Sequence, residues 1–150
     1  MKKKLRVAVV DGQGGGIGKA IVEKLKNGIP EAEILALGTN STATGQMIRA
    51  GADEGATGEN AIIVNMDKVD VVVGVIGIIV ANSMLGELTP AMSVAISGSP
   101  ALKVLLPINR CGIHVVSVSD KAANLSVHIS DAVKTVVEYA KELRENGSGC

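Results

Sequence analysis

"VAVVDGQGGGIGKAIVEKL", Val7 to Leu25, runs an aliphatic stretch into five glycines within seven residues, Gly12 to Gly18, and then turns amphipathic. Glycine at that density carries a backbone-entropy cost that one structural turn does not require. A tight turn between a buried strand and a helix directs unpaired N–H groups, and the positive end of the helix dipole, at one small volume. An anion is the natural occupant of such a place.

The flanking residues supply that strand and helix. Leu5 to Val10 is an aliphatic run but for Arg6, the pattern of a strand covered on both faces. Ile17, Ile21, Val22 and Leu25 share one helical face, and "NGIP", Asn27 to Pro30, stops the helix with a Gly cap and a proline. Ile34 to Leu37 is a second strand, which the handedness rule places parallel to the first through a right-handed crossover.

Downstream, Ser41 to Asp53 reads as a helix capped by Ser41 or Thr42 and ended by Gly51, and Thr57 is placed to cap a short helix through Val64. Val69 to Gly74 is a third buried strand. The uncharged run Val71 to Gly86 reads as that strand followed by a buried or subunit-facing helix, and is shorter than the roughly 20 apolar residues of a membrane span. Thr89 is an N-cap with Pro90 at the first helical position and Gly98 at the end. Leu102 to Leu106 and Ile113 to Val118 are strand-like and joined only by "PINRCG", too short for a parallel connection, so the second is expected to pair antiparallel. A striped helix over Ser126 to Arg144 closes the chain before a polar tail. The expected fold is α/β: a three-layer Rossmann-like sandwich with a mainly parallel sheet of about five strands, one domain over residues 1–145 and a flexible tail over 146–150.

Composition narrows the function classes. Fifteen basic and fifteen acidic side chains cancel, which argues against a dedicated nucleic-acid binder. With no Phe, no Trp and the single Tyr139, any bound ring lies between aliphatic side chains. Two cysteines, Cys111 and Cys150, exclude a disulfide scaffold, and Cys111 reads as a buried inert thiol. The expected setting is cytoplasmic, with neither a membrane nor a metal site.

Three known glycine-loop spacings bear on Gly12 to Gly18. A P-loop ending at Gly18-Lys19 requires Gly at 13 and Ser or Thr at 20, where Gln13 and Ala20 stand. The strict dinucleotide pattern G-x-G-x-x-G meets Ile17 or Lys19 where its last glycine belongs. The third, Gly12-x-x-x-Gly16-Ile17-Gly18, matches in full and resembles the nicotinamide-binding loop of short-chain dehydrogenases over about the first 25 residues. That resemblance implies that Gly12, Gly16 and Gly18 line a pyrophosphate and that Ile17 packs beneath the adenosine side. It does not carry catalysis, because Tyr139 has Leu143 rather than Lys four residues on. The ribose-binding acid expected at the end of the second strand is also missing; Gly38, Thr39 and Asn40 stand there, and the latter two suit a ribose or a 2′-phosphate.

The candidate cofactor-binding set is therefore Asp11, Gly12, Gln13, Gly14, Gly15, Gly16, Ile17 and Gly18, with Gly38, Thr39 and Asn40, and further polar groups at Asn82, Ser83, Asn109 and Arg110. Asp11 has three readings: an acceptor for the loop's own amides, a metal ligand, or a partner for a ligand hydroxyl. Asn82, Ser83 and Glu87 sit in an apolar context, where polar residues usually find backbone partners; the alternatives are that they face the glycine loop across a crevice or meet a second subunit. The stretches "DGQGGGIGKA", "ALGTN", "GADEGATGENAI", "ANSMLGELTPAM" and "INRCG" together resemble, over nearly the whole chain, a small bacterial family of uncharacterised proteins labelled as a domain of unknown function. The resemblance implies a cytoplasmic Rossmann-like protein and brings no catalytic residues with it. Two functions are expected from different classes: binding of a nucleotide or dinucleotide phosphate, with NAD or NADP the leading cofactor and oxidoreductase-like chemistry open, or a non-catalytic homodimeric sensor or assembly module for a phosphorylated metabolite.

Overall fold

The structure, a computed structural model, describes residues 3–108, 112–116, 118 and 124–146. Five strands, β1 (Arg6–Asp11), β2 (Glu33–Gly38), β3 (Glu54–Thr57), β4 (Val71–Val75) and β5 (Leu102–Leu106), form one sheet in the order β3-β2-β1-β4-β5. Every pairing is parallel, with Val7 opposite Ile34 on one side and Val71 on the other. The helices are α1 (Gly16–Gly28), α2 (Ser41–Arg49), α3 (Glu59–Asn65), α4 (Pro90–Gly98) and α5 (Leu125–Glu145).

Alternate side chains of each inner strand feed opposite layers, as a two-residue strand period requires. Val7 and Val9 of β1 pack with Ile21 and Leu25 of α1, Met47 of α2 and Val136 of α5. Ala8 and Val10 pack on the other face with Ile62 of α3 and Met92 and Ile96 of α4. This is the three-layer, doubly wound, Rossmann-like arrangement. Strand order reverses between β1 and β4, so the crevice at their carboxyl ends is where such sheets take ligands. Among the described residues, no helix is long and apolar enough to cross a membrane.

Two strand expectations need correction. The fifth strand is β3, "EGAT", whose composition is poor in strand formers. It forms because the exposed edge of β2 offers a ladder, which Asp53 N–H to Ile34 carbonyl (2.9 Å) and Gly58 N–H to Gly38 carbonyl (2.9 Å) extend at its two ends. Conversely, none of the described residues in 113–118 is in a strand, and the sheet they form part of the chain with is wholly parallel. Val116 there is 80% exposed, and none of the described residues of that run is buried.

Smaller shifts have local causes. Asn40, not Ser41 or Thr42, caps α2, because its Oδ1 accepts the Ala43 N–H at 2.9 Å. Thr57 lies in β3 and Gly58 precedes α3. After β4 the chain makes two short 3-10 turns, Ile76–Ile79 and Met84–Gly86, in place of the expected helix. Gly28 closes α1 without a left-handed cap; a Cβ there would lie 2.9 Å from Val133 Cγ1, so its role is the close approach of α1 to α5.

Candidate functional site

Asp11 ends β1 and is 6% exposed. Its Oδ1 accepts the Gly12 N–H at 2.8 Å and its Oδ2 accepts the Gly18 N–H at 2.7 Å. Of its three sequence readings, acceptance from the loop's own amides is the one this geometry makes. The carboxylate thereby caps the third residue of α1, whose N-cap, Gly15, has no side chain to do so. Burial pushes the Asp11 carboxyl above its usual range, the Gly18 and Gly12 N–H bonds oppose that rise, and the charge of Glu87 adds to it.

The five glycines separate into two groups. A Cβ on Gly12 would lie 2.6 Å from Thr39 Oγ1 and 2.7 Å from Met84 Sδ, and one on Gly18 would lie 2.7 Å from Met47 Sδ and 2.8 Å from Asp11 Oδ2. Gly15 adopts φ +76° and is backed by Ala43 Cα, 2.7 Å from where its Cβ would be. Packing and backbone conformation therefore explain these three. Gly14 and Gly16 have no left-handed φ, and a Cβ on either meets nothing within 4 Å.

The loop's amides divide in a parallel way. Gln13 N–H reaches Glu87 Oε1 at 2.9 Å, Gly15 N–H reaches the Gly12 carbonyl at 3.0 Å, and Lys19 N–H makes the first helical bond to Gly15 at 2.9 Å. The N–H groups of Gly14, Gly16 and Ile17 meet no acceptor among the described residues. Three free donors thus sit beside two sterically unexplained glycines at the start of a 13-residue helix.

Glu87 is not in the candidate set drawn from the sequence, although facing the glycine loop is one of the readings of its segment, and the structure brings it to that loop. It lies on the strap between β4 and α4, and its Oε1 accepts from the Thr39 hydroxyl at 2.7 Å and Asn40 Nδ2 at 2.8 Å as well as from Gln13. The Gln13 N–H and the Thr39 hydroxyl, followed by Asn40, hold its carboxyl below the usual glutamate range against a smaller effect of burial. The strap is also strained. Asn82, Met84 and Leu85 have φ of 64°, 57° and 55°, and with Gln13 at 49° they are the non-glycine residues of positive φ among those described. For Gln13, Met84 and Leu85 the left-handed conformation costs about 1–2 kcal/mol each relative to a right-handed residue, and these three line one crevice.

That crevice holds a cavity of about 230 Å³. Asp11, Gly12, Gln13 and Ile17 form one wall, Val75 and Gly77 at the end of β4 form its base, and Ser83, Met84, Leu85 and Ile108 complete it. Its position is the topological switch point between β1 and β4. Leu85 is 98% exposed at this wall, an unusual setting for a leucine. Among the described residues, Asp11 is the single ionisable group in the lining.

The expected site residues are therefore brought together unequally. Asp11, Gly12, Gln13, Ile17 and Ser83 line the cavity, and Gly14 and Gly16 lie in the same loop. Thr39 and Asn40 join through Glu87, while Gly38 is packed under Thr44. Ser83 is buried and its hydroxyl donates to the Gly77 carbonyl at 2.5 Å, which holds the strap to the end of β4. Asn82 is exposed and serves the strap through its N–H, 2.8 Å from the Leu88 carbonyl. Asn109 and Arg110, with Cys111, lie outside the described residues. Tyr139 is on α5 and packs against the core, away from the cavity lining.

One family model, described as "Domain of unknown function (DUF3842)", matches residues 6–141. No curated protein and no solved structure matches the chain.

Proposed function

The chain belongs to that family, whose description assigns no activity, and from the site alone we propose that it binds the phosphate of a nucleotide or dinucleotide, NAD or NADP in type, at the Gly12–Gly18 loop. The observation that carries this reading is the coincidence of free amides and unexplained glycines. Gly14, Gly16 and Ile17 offer N–H groups with no acceptor among the described residues, and Gly14 and Gly16 leave open the space that a phosphate oxygen needs in order to approach. The helix dipole adds to the attraction. The cavity beside the loop is walled by Ile17, Val75, Met84, Leu85 and Ile108, aliphatic surfaces between which a base or nicotinamide ring lies. Backbone strain gathered at one crevice is the pattern of a ligand clamp.

A second reading, a non-catalytic sensor for a phosphorylated metabolite, is favoured by the lining. Asp11 is its one ionisable group among the described residues and already bonds two loop amides. Both readings require the phosphate at the same loop, and turnover of a bound cofactor with candidate substrates separates them.

The test is a thermal-shift and calorimetric panel of NAD, NADP, FMN, ATP, coenzyme A and inorganic phosphate. A ligand at 100 times its Kd adds about 2.7 kcal/mol of stability. Gly16→Val, whose added side chain enters open space, is expected to keep the fold and abolish that gain. Absence of any response in the wild type overturns the reading.

A further inference from the structure

Resting on the nucleotide reading above, we infer that Glu87 takes the place of the missing acid at the end of β2 and binds the 2′,3′-diol of an adenosine ribose, so that the site takes NAD and refuses NADP. Doubly wound dinucleotide sites commonly carry their ribose acid at the end of the second strand. Here β2 ends in Gly38, followed by Thr39 and Asn40, and no carboxylate follows from the strand itself. A carboxylate nevertheless arrives at that point from the β4–α4 strap.

Its placement is specified by three donors converging on one oxygen. Gln13 N–H, Thr39 Oγ1 and Asn40 Nδ2 lie 2.9, 2.7 and 2.8 Å from Glu87 Oε1. They come from the phosphate loop and from the end of β2, the two elements that flank the ribose of a dinucleotide. Oε2 has no partner among the described residues and is left to accept from hydroxyls. An ionised carboxylate accepts only, and two neighbouring hydroxyl donors are its natural complement.

The same bonds argue against a 2′-phosphate. Thr39 and Asn40 suit either ligand when considered alone, but the Thr39 hydroxyl proton and one Asn40 amide proton go to Glu87. The other Asn40 proton goes to the Gln13 carbonyl at 2.9 Å, and Asn40 Oδ1 accepts from Ala43. Neither side chain keeps a donor for a phosphate, and no lysine or arginine bonds to this cluster among the described residues. A 2′-phosphate brings about −1.5 to −2 further charge at neutral pH, directly against the Glu87 carboxylate. Like charges placed together are a standard means of rejecting a near-identical ligand.

The test uses the full chain and isothermal titration with NAD, NADP and NAD lacking the adenosine 2′-hydroxyl. Wild-type protein is expected to bind NAD at least about 10-fold more tightly than either of the others. In Glu87→Gln, NADP is expected to come within about 3-fold of NAD, because the repulsion is gone while the side-chain shape remains. The comparison among ligands on wild-type protein needs no folded variant. NADP binding as tightly as NAD, or a discrimination unchanged in Glu87→Gln, overturns the diol assignment and leaves the nucleotide reading standing. Failure of both NAD and NADP to bind wild type overturns the assignment, and with ATP, FMN, coenzyme A and phosphate also silent it overturns the nucleotide reading as well.

Discussion

Residue by residue, the glycine loop is two devices in one. Gly12, Gly15 and Gly18 serve the fold, whereas Gly14 and Gly16 serve open space. Gly12→Ala and Gly18→Ala are expected to lose about 1–3 kcal/mol by overpacking. Gly14→Ala and Gly16→Ala are expected to keep or gain up to about 1 kcal/mol by restricting the unfolded chain. Chemical denaturation of the four variants checks the split. The two carboxylates of the site give opposite pH signatures. Glu87, held below its ordinary 4.5, contributes stability above that value and loses it as pH falls through its folded-state value. Asp11, raised above 3.8, makes the fold gain stability as pH falls through its folded-state value toward 3.8. Denaturation midpoints across acid pH should therefore lose the Glu87 decline in Glu87→Gln and the Asp11 gain in Asp11→Asn. The sequence made the loop and its anion-directed geometry legible, since both follow from local backbone chemistry. It left open which way Asp11 turns and where Glu87 reaches, because those are contacts across seven and more than forty residues of chain.

Among the elements, legibility followed how much of the signal was local. α4 carried its own start, with Thr89 capping Met92 N–H at 3.2 Å and Pro90 at the first position. Thr89→Ala should cost about 1 kcal/mol in thermal or chemical unfolding, since it removes this cap and the 2.6 Å bond to Glu59 Oε2. β3 carried no such signal. Its Glu54-Gly55-Ala56-Thr57 composition disfavours a strand, and Gly55 lets Ile48 pack close, since Ile48 Cδ1 would lie 2.6 Å from a Cβ there. The strand exists by tertiary pairing with β2, aided by Asp53, whose Oδ2 accepts the Ile34 N–H at 2.8 Å. The strap after β4 was unreadable for a related reason. Left-handed Met84 and Leu85 oppose their intrinsic preferences, and bonds within the strap, the Ser83 bond to Gly77 and the Glu87 contacts across the crevice hold the segment.

For the whole molecule, a sheet ordered β3-β2-β1-β4-β5 places the glycine loop, the ends of β2 and β4, and the strap along one edge. Aliphatic runs and capping residues were enough to anticipate the α/β class and the parallel core. The open crevice at the switch point follows from that topology, and its chemistry follows from groups the fold leaves without partners. The most direct test is to follow backbone amide resonances of the full chain while titrating NAD. Gly14, Gly16 and Ile17 are expected to show the largest downfield shifts as their free N–H groups acquire phosphate acceptors, with Gly12 and Gly18, already bonded to Asp11, moving less. Saturable NAD binding that leaves Gly14, Gly16 and Ile17 unmoved would contradict the assignment of this loop as the phosphate site.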